Sequence, residues 1–130
     1  MKGLTNREKA QVVAEASLER AAEEVVALDL RKAASFADIF VICTGRSDRQ
    51  VRSIADAIEE AVVKRGERPL GIEGYDEGRW VLMDLADVIV HVFQQEVRRH
   101  YDLERLWSDA PKLDLCIEQE DPSDERTLAR

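Results

Sequence analysis

The 130-residue sequence has no surplus of basic residues: 19 Lys and Arg stand against 27 Asp and Glu, a formal charge of −8. A protein that holds nucleic acid chiefly by neutralising phosphates needs the opposite balance. That mode is excluded, and an RNA target would have to be reached through a local basic patch or another protein. Cysteine is scarce as well. Cys43 and Cys116 form no CxxC pair and have no histidines at ligand spacing, which argues against a disulfide framework or a zinc site and fits a reducing cytoplasm. No apolar run approaches membrane-spanning length, and residues 1–10 are too charged for a secretory signal. The expectation is a soluble, cytoplasmic protein with no membrane partner. Also missing are a Walker lysine, a GxGxxG loop, a serine or cysteine nucleophile signature and any internal repeat.

What is present is the balance of a globular chain, 45% hydrophobic and 35% charged, at a length that suits one domain. The charge is uneven. Residues 108–130 carry seven acids and three bases, half of the net charge, and Pro111 and Pro122 frame them. A folded domain over 1–107 and an acidic, flexible C-terminal tail over 108–130 are expected.

Thr5 and Glu8 make a capping-box pattern that opens a helix ending near Glu23, with Val13, Ala16 and Ala21 or Ala22 on its inner side. A short apolar run at 25–30 reads as a strand. Residues 39–44 are nearly continuously apolar, which suits a strand covered on both faces. Ser47 and Gln50 form a second capping box. The helix they open carries Val51, Ile54, Ala55, Ile58 and Val62 in one stripe, and Gly66 is placed to stop it. Residues 69–72 are a short strand candidate. The runs 80–85 and 88–93, joined at Ala86-Asp87, predict an antiparallel hairpin. A last helical stretch over 94–107 is expected to turn Val97, Tyr101, Leu103 and Leu106 inward. The order predicts an α/β fold with one mixed sheet of about five strands flanked by helices.

Three groups of residues invite a chemical reading. The turn Gly45-Arg46-Ser47-Asp48-Arg49-Gln50 lies between a strand and a helix, where its amides and two arginines would suit an anion; the alternative is a plain capped turn. A nucleotidyltransferase would add paired carboxylates on the next strand for two metal ions. No Asp-x-Asp or Glu-x-Glu stands there, and Glu118 and Glu120 have the spacing only in the tail. Asp84, Asp87 and His91 could cluster for acid–base or metal chemistry, against a turn-capping aspartate and a histidine bonded within the sheet; His100 reads as one of an exposed Arg98-Arg99-His100 group. The third group is Trp80, Leu82 and Asp84, which alternate with the apolar Val81, Met83 and Leu85. Their face is either a contact surface for a basic partner or simply covered.

The stretch Ala37-Asp38-Ile39-Phe40-Val41-Ile42-Cys43-Thr44-Gly45, followed by Ser47-Asp48-Arg49-Gln50-Val51, resembles the signature of the Iojap family, the ribosomal silencing factors. Pro69-Leu70-Gly71-Ile72-Glu73-Gly74, Trp80-Val81-Leu82-Met83-Asp84, Asp87-Val88-Ile89-Val90-His91-Val92-Phe93 and Tyr101-Asp102-Leu103-Glu104-Arg105-Leu106-Trp107 continue it in family order. Ile39 stands where the family often has an aromatic residue, and the tail matches no family pattern. The resemblance implies a nucleotidyltransferase-like fold without the catalytic carboxylates, and a non-enzymatic repressor of translation without cofactor or metal. It implies binding to the large ribosomal subunit through its protein numbered fourteen, which blocks joining of the small subunit when nutrients run short. Self-association as a homodimer is also implied. The family's contact includes the tryptophan and aspartate matched by Trp80 and Asp84. Leu82 joins them by its place between them on the strand, and Glu73 stands with Asp84 as a partner for basic side chains. The competing expectation is a nucleotide-binding module at Gly45–Gln50.

Overall fold

The computed structural model describes residues 3–117. The expected helix opens at Thr5, whose side chain accepts from the Glu8 amide while the Glu8 carboxylate accepts from the Thr5 amide. This helix, α1 (Asn6–Glu19), stops earlier than its alanine-rich sequence suggests. Ala21 takes a left-handed conformation, φ 62°, and the chain turns back into β1 (Glu23–Asp29). A bulge between Glu23 and Val26, with Glu24 at φ 49°, bends that strand at its start.

β2 (Ile39–Gly45) is buried at every position, as its unbroken apolar run requires. Ser47 caps α2 (Asp48–Lys64), its hydroxyl accepting from the Gln50 amide. The reciprocal half of the expected box is not made. Gln50 instead accepts from the Arg46 amide at 2.6 Å and donates to the carbonyls of Arg20 and Ala21, so it fastens the end of α1 to the start of α2. The stripe Val51, Ile54, Ala55, Ile58 and Val62 is buried, and Gly66, at φ 85°, follows the helix end.

Three further strands follow: β3 (Gly71–Glu73), β4 (Trp80–Asp84) and β5 (Val88–Gln94). The sheet order is β1-β2-β5-β4-β3. β1 and β2 are antiparallel, β2 and β5 parallel, and β5, β4 and β3 antiparallel in succession. α1 and α2 cover one face. Their apolar sides pack with Val81, Met83 and Leu85 of the hairpin, with Val88, Val90 and Val92, and with Val41 and Cys43. Among the described residues the opposite face is covered only over its β1–β2–β5 end, by α3 (Gln95–Tyr101), α4 (Leu103–Leu106) and Trp107, which enclose Leu28, Phe40, Ile42 and Phe93.

The hairpin turn is tight: the Leu85 amide donates to the Val88 carbonyl, and Ala86 sits at φ 76°. A left-handed alanine is strained by roughly 1–2 kcal/mol, whereas glycine takes that conformation freely at some cost in unfolded-chain entropy. Ala86→Gly is therefore expected to stabilise the fold by about 0.5 kcal/mol. Urea unfolding at neutral pH measures it.

In the last helical stretch the prediction fails in part. Val97 is buried and Leu103 is packed beside it, but Tyr101 is 53% and Leu106 70% exposed. Asp102, in a left-handed conformation (φ 48°), breaks the stretch into two short helices and resets the phase of the side chains that follow, Leu106 among them, while Tyr101 at the end of α3 lies against the Trp80 ring. Beyond Trp107, residues 111–113 run antiparallel along β1 and the chain then passes to α1. The Leu113 amide donates to Ala27, the Asp29 amide to Pro111, and Gln11 clamps the Cys116 backbone through both its amide atoms. Leu113, Leu115 and Ile117 pack on the core, so contact with the domain continues past the boundary expected at Trp107. The rest of the expected tail, including Glu118 and Glu120, lies outside the described residues.

Candidate functional site

Strand register decides which side chains meet. Leu82 stands opposite Glu73 on one side and His91 on the other, Asp84 opposite Gly71 and Ile89, and Trp80 opposite Phe93. Trp80, Leu82, Asp84 and Glu73 therefore share the sheet face that α1 and α2 do not cover. The four differ in how they are held. Glu73 is exposed, on the edge strand. Asp84 is half-buried and accepts from the Ala86 amide at 2.9 Å, so it also supports the hairpin turn. Leu82 is half-buried yet belongs to neither apolar cluster of the domain.

Trp80 is half-buried, packed against the second apolar cluster. Its ring lies 4.9 Å from that of Phe93 and 4.8 Å from that of the exposed Tyr101. Its indole N–H donates to His91 Nδ1 at 3.1 Å. Just upstream, Gly74 sits at φ 80° where a Cβ would come within 2.1 Å of the Trp80 carbonyl oxygen; only glycine lets the loop pass so close to the site.

The suspected acid–base cluster does not assemble. Asp87 is drawn to the helical side, where it accepts from Lys9 at 2.7 Å. His91 is buried, and burial pulls its pKa down to about 4, so the ring is neutral. With Nδ1 accepting, the proton sits on Nε2, which is buried and has no hydrogen-bond partner among the described residues. Such an orphaned donor costs about 1–3 kcal/mol. Among the described residues no three His, Cys, Asp or Glu side chains gather as a metal site requires.

The turn after β2 offers little to an anion. The amides of Arg46, Arg49, Gln50 and Val51 are each satisfied by Gln50, Asp48 and Ser47, and Arg46 is paired with Glu23 at 2.7 Å. Cys43, at the end of the same strand, is fully buried, and burial pushes its thiol up to about 12. It is a core side chain, as expected.

Two ionic side chains were misjudged or missed by sequence reasoning. Arg98, expected in an exposed basic group, is only 7% exposed. Its guanidinium donates to the Thr44 hydroxyl and the Glu24 carbonyl, both at 2.7 Å, and to Glu104 at 2.9 Å, tying α3 to the bulge of β1 and the end of β2. Lys9 is 4% exposed on the inner side of α1 and holds Asp87, Glu67 and the Leu85 carbonyl. Its spacing from Val13 places it on the buried stripe, a signal the sequence does carry.

Residues 4–130 match the family model described as ribosomal silencing factor during starvation. The chain belongs to the ribosomal silencing factor family. It is 46% identical over 105 residues to the ribosomal silencing factor of Bacillus subtilis, covering 81% of this chain and 89% of that one. To the ribosomal silencing factor of Halalkalibacterium halodurans it is 42% identical over 112 residues, 86% of this chain and 96% of the relative. A crystal structure of a Chromobacterium violaceum protein superposes with a TM-score of 0.80 at 30% identity, covering 93% of this chain and all of the other. The family match runs past Trp107 to the end of the chain, further than the recognisable sequence blocks. Ribosomal silencing factors are ribosome-associated regulators and are not known as enzymes. No helix among the described residues is long and apolar enough to cross a membrane.

Proposed function

We propose that this chain represses translation by binding the large ribosomal subunit through its protein numbered fourteen, so that the small subunit cannot join. The observation that carries the reading is the open end of the sheet face, where Leu82 is apolar, half-buried and outside both cores, with the Trp80 and Tyr101 rings in contact on one side of it and Asp84 and Glu73 on the other. An apolar centre rimmed by carboxylates suits a basic protein surface, which an acidic chain approaches with electrostatic help. Blocking is steric and needs no chemistry. A homodimer could use the same apolar surface, and the chain acts in the cytoplasm.

Trp80→Ala is a poor probe, because it removes ring packing and the partner of a buried histidine. Leu82→Arg and Asp84→Asn are cleaner. Leu82→Arg places a cation against a basic partner and is expected to weaken binding to large subunits about thirtyfold or more, with the melting temperature little changed. Asp84→Asn keeps an oxygen for the Ala86 amide and removes only the charge; about a tenfold loss is expected. Sucrose-gradient sedimentation with separated subunits measures both, together with the loss of joined ribosomes. Normal co-sedimentation of Leu82→Arg would sink the reading.

A further inference from the structure

His91 is a puzzle on stability grounds alone. A phenylalanine would fill its place between Phe40, at 4.5 Å, and the stacked Phe93, at 5.9 Å, without burying a nitrogen that has no partner among the described residues. What an imidazole offers there that an apolar ring does not is a single acceptor, Nδ1, and that acceptor is taken by the indole of Trp80. The two residues are diagonal neighbours on adjacent strands, since Trp80 stands opposite Phe93 and His91 opposite Leu82.

We propose that His91 is a positioning residue: its Nδ1 holds the Trp80 indole in the orientation that presents the ring, with Tyr101, to the partner. The proposal rests on the docking role given above to this face. Without the bond, the indole N–H on a half-buried ring would turn to water, and the ring would leave its place between Phe93 and Tyr101. The partner would then have to reorder it on binding, and that ordering opposes affinity. The bond has a second effect. By engaging Nδ1 it fixes the tautomer, so the buried Nε2 keeps its proton and the imidazole stays a defined acceptor toward the strand next door.

The test uses His91→Phe, which keeps the ring and removes the acceptor, and His91→Asn, whose side-chain oxygen falls near the place of Nδ1. The chain has two tryptophans, Trp80 and Trp107, so two indole N–H signals in a proton–nitrogen NMR spectrum report one each, with Trp107 as internal control. In His91→Phe the Trp80 indole signal is expected to shift and to exchange with solvent faster, and affinity for large subunits to fall about tenfold. His91→Asn is expected to recover most of the protection and the affinity. If His91→Phe changes neither the Trp80 signal nor the affinity, or changes the signal while binding stays native, the positioning role is overturned. Leu82→Arg separates that failure from failure of the docking reading: there the face itself is tested and His91 is untouched.

Discussion

Replacing Arg98 with alanine is expected to destabilise the domain by about 3 kcal/mol and to lower its melting temperature by about 10 °C. The guanidinium is buried and makes three charge-assisted or polar contacts: with Thr44 at the end of β2, with the Glu24 carbonyl in the bulge, and with Glu104 of α4. Truncation leaves the Thr44 hydroxyl and the Glu24 carbonyl without their donor. It also leaves Glu104, two-thirds buried at its side chain, without its cation. Each loss alone costs about 1–3 kcal/mol, and the packing of the arginine stem is lost with them. Arg99→Ala, one residue on at an exposed position, is the control and is expected to stay within about 0.5 kcal/mol of the parent. Calorimetry of the two variants side by side decides it; equal melting temperatures would mean that the buried guanidinium contributes nothing.

Lys9→Met should cost about 2–3 kcal/mol, because it strands the carboxylates of Glu67 and Asp87 beside an apolar core. Both carboxylates keep some access to water, which is why the figure lies below the full penalty for a broken buried pair. The pH dependence carries the signature. Burial acts to lower the Lys9 pKa, but hydrogen bonds and charge from Asp87 and Glu67 outweigh it and the net direction is up. A group raised on folding lends its full stability below its unfolded value and withdraws it as pH climbs through the folded one. Parent stability is thus expected to hold to about pH 10 and to fall beyond it, and Lys9→Met to lack that component of the alkaline loss. Urea unfolding from pH 7 to 11 follows both. Adding Asp87→Asn and Glu67→Gln to Lys9→Met should return part of the loss, since neutral amides are cheaper to bury than unpaired anions.

Much of the fold was legible in the sequence, and the reasons are local. The α2 stripe and the continuous run of β2 each read directly as burial on one side or on both. The hairpin showed in the alternation of β4 and in the shortness of its link. Errors came where backbone conformation overrode pattern. Left-handed Ala21 ended α1 early, and left-handed Asp102 split the last helix and turned Leu106 out to solvent. The packing of Leu113, Leu115 and Ile117 on the core was hidden because these three alternate weakly amid acids and a proline. Of the candidate site, the shared face of Trp80, Leu82 and Asp84 followed from spacing, whereas Glu73 reaches it through the register of β3 on β4. Two further things did not follow from spacing. That Asp84 also supports a turn depends on the φ of Ala86, and that His91 bonds to Trp80 depends on a register between strands that composition does not encode.

The sheet topology also sets how this chain must fold. The central pair, β2 and β5, joins residues about fifty positions apart, and every parallel contact between them waits for α2, β3 and β4 to be made or at least to be out of the way. Local pieces, α1 and the β4–β5 hairpin, can form within microseconds, while the middle of the sheet has to close a long loop first. During synthesis β5 follows everything except the two short helices and the C-terminal segment. The innermost strand pair of the domain is among the last that a growing chain can complete, and the apolar faces of α2 and β2 stay open until it does.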